Sequence, residues 1–254
     1  RIAHCHSSNQ DKNIKYLIKY MYKQLIPKYA TGLFACGEIA GEWMFGKNVK
    51  FVVLPNAIDT DAYVFSNDKR ILIRKELGLP ENAFVIGHVG RFSKVKNHRF
   101  IIELCELVLK QNRNTYVLFV GQGDLLEETR EIVMKKHLEN VIKFLGLRND
   151  VPDLMQAMDV FVFPSLYEGL PVTMVEAQAA GLPCVISDKV PDECIVTEGL
   201  VTVQKLSDSV ENWAKHIVSR ANMQRKDTGE QIKAHGFDIA ENAKWLEEFY
   251  LKHG

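Results

Sequence analysis

Residues 164–181 read Pro164-Ser165-Leu166-Tyr167-Glu168-Gly169-Leu170-Pro171-Val172-Thr173-Met174-Val175-Glu176-Ala177-Gln178-Ala179-Ala180-Gly181. The apolar run Asp159-Val160-Phe161-Val162-Phe163 precedes them and Leu182-Pro183 follows, which predicts a buried strand, a loop and a short helix. Pro171 suits the first helical position, where its missing N–H costs nothing, and Gly181 suits a left-handed residue just past the end. The helix is almost wholly apolar, yet Glu176 sits in its second turn, and a buried carboxylate needs partners.

The amides around 169–173 have no partners inside the helix and carry the positive end of its dipole, so this terminus can receive an anion. Glu168 stands just before it. Phosphate on the amides and sugar hydroxyls on the two carboxylates would fit one ligand. On these residues alone a plainer arrangement stays open, in which Glu168 caps the helix and Glu176 pairs with a nearby Lys or Arg.

Outward from this segment the pattern repeats. Strands are predicted at 84–90, 115–121, 141–146, 159–164 and 183–187, separated by helices near 97–111, 125–138, 151–158 and 171–180. This alternation indicates an α/β fold, a doubly wound parallel sheet covered on both faces, with ligands gathering outside the carboxyl ends of the strands. Arg91 and Lys96 lie in the loop after the first of these strands. A guanidinium fork and a mobile ammonium together can offset a diphosphate's charge without a metal. Gly121 and Gly123 suggest a dinucleotide fingerprint only weakly, since Leu126 occupies the place of the third glycine.

Before the sheet, residues 1–6 read as a strand with His4 and His6 on one face. An H-x-H pair can hold a metal, but no third ligand cluster is evident. Residues 12–28 form a basic amphipathic pattern, with Ile14, Leu17, Ile18, Met21, Tyr22 and Leu25 on one face and Lys15, Lys19 and Lys23 on another. Such a helix suits a solvated face or an anionic membrane surface. Strands at 32–36 and 49–54 flank a short helical stretch ending near Gly46. Further helices are predicted at 68–77, 209–222 and 239–252, the last two with Trp213, Trp245 and Phe249 as core residues rather than a sugar platform.

The spacing of Glu168 and Glu176, with Pro55-Asn56-Ala57-Ile58-Asp59, Gly90-Arg91-Phe92-Ser93-Lys94-Val95-Lys96-Asn97, Gly121-Gln122-Gly123 and Phe144-Leu145-Gly146, resembles the E-x7-E retaining glycosyltransferases of the GT-B fold. The likeness is closest to family 4, the group 1 glycosyltransferases that include capsule and exopolysaccharide enzymes. It implies a remnant of an N-terminal, acceptor-side domain at 1–56 and a Rossmann-like nucleotide-sugar-binding domain at 57–236. It also implies a C-terminal helix at 237–254 that returns toward the first domain. The donor would be a nucleotide sugar, a UDP-sugar favoured, with no metal. Gly90, Arg91, Lys96 and the amides of Gly169, Leu170 and Val172 would hold the diphosphate, Glu176 the ribose, and Leu147 with Arg148 would flank the base. Glu168 and His6 would stand near the donor sugar as catalytic groups. The acceptor would be a glycan or a lipid-linked sugar, met in the cytoplasm or at the inner face of the membrane through a peripheral contact. Ala57, where the family usually has glycine, is a departure. A non-catalytic nucleotide-sugar-binding module and a nucleotide-sugar epimerase of the same fold are the alternatives.

The bulk composition agrees with a globular chain. It has 254 residues, 46% hydrophobic and 25% charged, with Lys+Arg and Asp+Glu equal at 32 each, so a general polyanion-binding role, and with it a nucleic-acid partner, is not expected. No apolar run approaches a membrane span. The chain starts at Arg1, which suggests a fragment of a longer protein. Cys5, Cys36, Cys105, Cys184 and Cys194 contain no C-x-x-C pair, as for reduced thiols rather than a zinc site or disulfide framework.

Overall fold

The structure is a computed structural model that describes residues 1–6 and 16–253, with 16–19 and 253 described by backbone alone. Strands β1 (Ile2–Cys5), β2 (Gly32–Ala35) and β3 (Val52–Val53) form a parallel sheet in the order β1-β2-β3. Helices α1 (Tyr16–Tyr29) and α2 (Glu38–Phe45) connect them. The strand expected at 49–54 is only two residues long, because β3 is an edge whose register with β2 has just the rungs Phe34–Val52 and Ala35–Val53.

After this sheet come α3 (Thr60–Tyr63), which the sequence pattern did not reveal, and α4 (Asn67–Glu76), whose N-cap Ser66 accepts from the Lys69 amide. A second parallel sheet then contains β4 (Phe84–Val89), β5 (Thr115–Val120), β6 (Ile142–Gly146), β7 (Val160–Phe163), β8 (Cys184–Ser187) and β9 (Val201–Gln204). Its order is β6-β5-β4-β7-β8-β9. The chain thus builds outward from β4 to one edge, then returns to β7 and builds to the other. The reversal between β4 and β7 opens a crevice at their carboxyl ends, which is where ligands settle in open α/β sheets. β9 was not anticipated.

Period-two alternation divides each strand between two cores. Val85, Val89, Leu118, Phe161, Phe163 and Ile186 pack on one face with Leu154 of α7 (Val151–Ala157), Met174 and Val175 of α8 (Val172–Ala179). Ile86, Val117, Phe119, Val162 and Val185 pack on the other, against α5 (His98–Gln111), α6 (Leu126–Lys135) and Trp213 and Ile217 of α9 (Val210–Ser219). All five cysteines are buried thiols outside any disulfide.

Three arginines finish the carboxyl end of α7, whose last carbonyls have no partner within the helix. Arg225 donates to the carbonyls of Met155 at 2.6 Å and Ala180 at 3.1 Å, and also to Met158. Arg70 donates to the carbonyls of Gln156 and Met158, and Arg74 to that of Ala157. Both also bind Asp159, at 2.6 and 2.7 Å. Asp159 in turn accepts from the Val85 amide, so the cluster fixes β7 beside β4 at the edge opposite the crevice.

The two sheets are tied by the chain's own crossings. The Ile58 amide donates to Phe237 O and the Ile239 amide to Ile58 O, each at 2.9 Å, and Thr60 hydrogen-bonds Asp238. Asp238 also accepts from Ala240 and Glu241 at the start of α11 (Ile239–His253), which follows α10 (Gly229–Ala234). Trp245 and Phe249 of α11 pack on Phe34 of β2, with ring centroids 5.8 and 5.0 Å apart. Trp245 is still 41% exposed, so it is a surface packing residue rather than the core residue expected.

Helix α1 departs further from expectation. Lys12, Ile14 and Lys15 lie outside the described residues, as do the side chains of Leu17, Ile18 and Lys19. Met21, Tyr22 and Leu25, the described part of the apolar face, are exposed. Lys23 is not part of a free basic stripe either, since its ammonium rests 4.1 Å from the Trp43 ring centroid. Among the described residues no helix is long and apolar enough to cross a membrane.

Candidate functional site

The loop after β4 is shaped by the glycines after β5. Gly121 has φ +137, and a β-carbon there would lie 2.1 Å from the Gly90 carbonyl oxygen; one at Gly123 would lie 2.4 Å from that of Phe92. These glycines let one loop lie directly on the other, joined by Phe92 N–H to Gln122 O at 3.0 Å. Close backbone approach, not a dinucleotide fingerprint, is what the G-x-G supplies. Lys94–Lys96 then makes one tight turn, and Asn97, left-handed at φ 54, starts α5.

This loop is stitched to the one after β7, across the reversal of the sheet. Leu166 N–H donates to Val95 O at 2.8 Å, and the Asn97 side-chain amide to Pro164 O at 3.2 Å. Lys96 runs over Gly90, where a β-carbon would meet its Cδ at 3.3 Å. Its Nζ lies 4.4 Å from the Phe163 ring centroid and donates to Glu168 Oε1 at 2.7 Å. The side chains of Lys96 and Glu168 are 17% and 11% exposed, so the pair is largely shielded from salt and water. Beneath it, burial, the neighbouring His98 and Lys96 hold His88 well below the ordinary histidine pKa, and His98 is lowered to about 4. Neutral rings therefore floor a cationic loop.

Helix α8 starts at Val172, with Pro171 as its N-cap rather than its first helical residue, and no side chain caps it. Glu168 is engaged by Lys96 instead, so the plainer arrangement in which it caps the helix does not occur. The helix ends as expected, with Gly181 at φ +59. Among the described residues Glu176 pairs with no Lys or Arg; its partner is the Tyr63 hydroxyl of α3, while burial pushes its carboxyl above the usual range. Burial and Glu176 together push the Tyr63 phenol up in turn. Nothing in the sequence signalled Tyr63, which reaches Glu176 from 113 positions away only because α3 packs on α8.

The structure does not bring every expected residue to one point. Arg91 is exposed and pairs with Asp124 at 2.9 Å, on the Gly123 side of its loop and outside the Lys96–Glu168 pair. Leu147 is 71% exposed after β6, and Arg148 is drawn into pairs with Asp150 at 2.5 Å and Glu76 at 3.2 Å. His4 in β1 and His6 just after it share one face, their rings near-parallel with centroids 6.2 Å apart, but take different partners: His4 stacks on Phe34 and meets the Tyr250 hydroxyl, whereas His6 Nδ1 lies 2.7 Å from Asn56 Oδ1. An amide oxygen only accepts, so His6 Nδ1 is the donor in this contact. Among the described residues no group of three or more His, Cys, Asp or Glu is arranged to hold a metal ion.

Between the two sheets lies a cavity of about 520 Å³, lined by His6, Cys36 and Asn56 on one wall and by Tyr167, Glu168, Gly169 and Leu170 on the other. Asn56, read in sequence only as linker, and Glu193, read only as part of a polar loop, also face it. Shielded ions, a helix start and a histidine side chain at one cavity suit a ligand with both anionic and hydroxyl groups.

Known proteins resemble this chain in sequence and in fold. Putative glycosyltransferase EpsF of Bacillus subtilis is 34% identical over 260 residues, covering 98% of this chain and 68% of that protein. The UDP-Gal:alpha-D-GlcNAc-diphosphoundecaprenol alpha-1,3-galactosyltransferase of Escherichia coli is 28% identical over 257 residues, covering 96% of this chain and 66% of its own length. Among solved structures, Anabaena Alr3699/HepE in complex with UDP and glucose superposes with TM-score 0.79 at 21% identity, over 98% of this chain and 70% of that one. Sucrose-phosphate synthase from Thermosynechococcus elongatus gives TM-score 0.77, also at 21% identity, over 99% and 67%. At that identity the structural likeness shows the fold, an α/β arrangement of parallel sheets of the GT-B type. Residues 69–233, more than half of the chain, match the family described as glycosyl transferases group 1, and the chain belongs to that family.

Proposed function

We propose that this chain is the donor-binding part of a retaining family 4 glycosyltransferase that moves a sugar from a UDP-sugar to a glycan or lipid-linked acceptor in surface polysaccharide synthesis. The observation that carries the reading is the Lys96–Glu168 pair, 2.7 Å apart at the crevice, in the same cavity wall as Gly169 and Leu170 and just before the uncapped start of α8. The name of the Escherichia coli relative, which states galactosyl transfer from UDP-Gal to alpha-D-GlcNAc-diphosphoundecaprenol, and that of the HepE structure, which states binding of UDP and glucose, support it.

In this reading Lys96 and Arg91, with the amides of Gly90, Gly169, Leu170 and Val172, hold the diphosphate. Glu176 takes the ribose hydroxyls and Leu147 flanks the base. As the anomeric bond breaks, charge grows on the leaving diphosphate, and Lys96, Arg91 and these amides stabilise it electrostatically once the ligand has drawn the two cations from Glu168 and Asp124. No metal is required for that charge balance. Glu168 and His6, on facing walls of the cavity, steady the sugar as its ring becomes positive. Exposed Met21, Tyr22 and Leu25 of α1, with Lys28 nearby, suit a peripheral contact with an anionic membrane at its cytoplasmic face. The chain spans 68% and 66% of the two relatives, and transfer is read as needing residues outside it. Calorimetric titration with UDP, GDP and ADP tests the donor site: UDP binding lost in Lys96→Ala is expected, and equal UDP affinity in the two proteins would refute the role of Lys96.

A further inference from the structure

Glu193 lines the cavity beside Glu168 and His6 but belongs to a different segment, the single turn Asp192–Cys194 after β8. Unlike Glu168, it makes no hydrogen bond or ion pair with any described residue. It also reaches across to the first sheet: a β-carbon at Gly37, the residue before α2, would lie 2.8 Å from Glu193 Oε2. Gly37 has φ −172, an extended backbone that any residue adopts, so its lack of a side chain bears on space rather than strain. The open side of the cavity thus holds a carboxylate that reaches the first-sheet wall, while the only other carboxylate of this lining on the second-sheet wall is occupied by Lys96. Glu193 is an exposed residue, and partial burial with the nearby Glu38 pushes its carboxyl above its usual range.

We propose that Glu193 is a specificity-determining residue that accepts a hydrogen bond from a hydroxyl of the acceptor sugar, on the wall away from Lys96, with Gly37 leaving room for the carboxylate. The proposal rests on the donor reading given above. A carboxylate suits this task because it accepts from a hydroxyl in several orientations and carries a charge-assisted bond. Its removal should affect acceptor recognition and leave the diphosphate site alone.

The test uses the full-length protein, UDP titration, and transfer from UDP-galactose to a short-chain lipid diphosphate carrying N-acetylglucosamine. Glu193→Ala should raise the acceptor KM about 10-fold or more, the loss of one hydrogen bond to a charged group, and leave UDP affinity within about twofold. Glu193→Asp should recover part of the loss. Gly37→Ala, whose new methyl displaces only the end of a flexible side chain, should raise the acceptor KM in the same direction with the carboxylate still present. An unchanged acceptor KM in Glu193→Ala, an equal loss of UDP affinity, or no transfer to this acceptor by a wild-type protein that binds UDP each overturns the proposal. Failure of the wild type to bind UDP removes the donor reading, and this proposal with it.

Discussion

Lys96 Nζ and Glu168 Oε1 stand 2.7 Å apart across the reversal of the second sheet, one from the loop after β4 and the other from the loop after β7. The ion pair neutralises both groups that the donor reading needs. A diphosphate arriving at Lys96 competes with Glu168 for the ammonium, and the released carboxylate becomes free to face the sugar.

That competition predicts opposite effects at the two positions. Lys96→Ala should weaken UDP binding about 10- to 100-fold, the value of one or two charge-assisted hydrogen bonds. Glu168→Gln should bind UDP as tightly as wild type or several-fold more tightly, while transfer by the full-length protein falls roughly 100-fold. Calorimetry and a transfer assay read the two effects separately. Weaker UDP binding in Glu168→Gln would contradict the exchange.

Glu176 should show a cost to the fold. Its carboxyl is raised by burial, with the Tyr63 hydroxyl pulling the other way. Between the ordinary glutamate value and the raised one, the folded chain holds more protons than the unfolded chain, so stability falls as pH rises through that window. Glu176→Gln should remove this slope and raise Tm at neutral pH, by about 2–4 °C for each kcal/mol relieved, while losing nucleotide affinity. Thermal melts from pH 4 to pH 8 measure the slope; an unchanged slope would contradict the burial argument.

Arg225 should matter for stability rather than for ligand. Arg225→Met leaves the carbonyls of Met155, Met158 and Ala180 without this donor, a loss on the order of 3 kcal/mol in urea unfolding. Arg225→Lys should restore less than half of it, because an ammonium cannot fork between carbonyls as a guanidinium does. If Arg225→Met unfolds at the wild-type urea concentration, the cluster does not secure α7.

The isolated chain should bind UDP weakly and transfer nothing. Radiolabelled UDP-sugar with a lipid-diphosphate acceptor measures this directly, and measurable product from residues 1–254 alone would overturn it.

Local pattern made much of the second sheet legible. Strands β4 to β8 and their helices lie within a few residues of the expected places because alternation of two, helical spacing and glycine stops are properties of neighbouring residues. Strands β3 and β9 were less legible because they are short edge elements, held by pairing rather than by their own pattern. Arg91, Lys96 and Glu168 stood out because charged groups at strand ends are conspicuous. Tyr63, Asn56, Asp124 and Glu193 were silent, being ordinary residues in ordinary segments.

The sequence by itself determined an alternating α/β chain with its charged loops at the strand ends, since periodicity and turn chemistry act over a few residues. Only the tertiary structure decided who meets whom: that Lys96 takes Glu168, that Arg91 turns to Asp124, that Glu176 finds Tyr63, and that His6 and Glu193 face one cavity. Those partnerships depend on strand order and on the packing of distant segments, and their energies arise only once burial has excluded water from both partners.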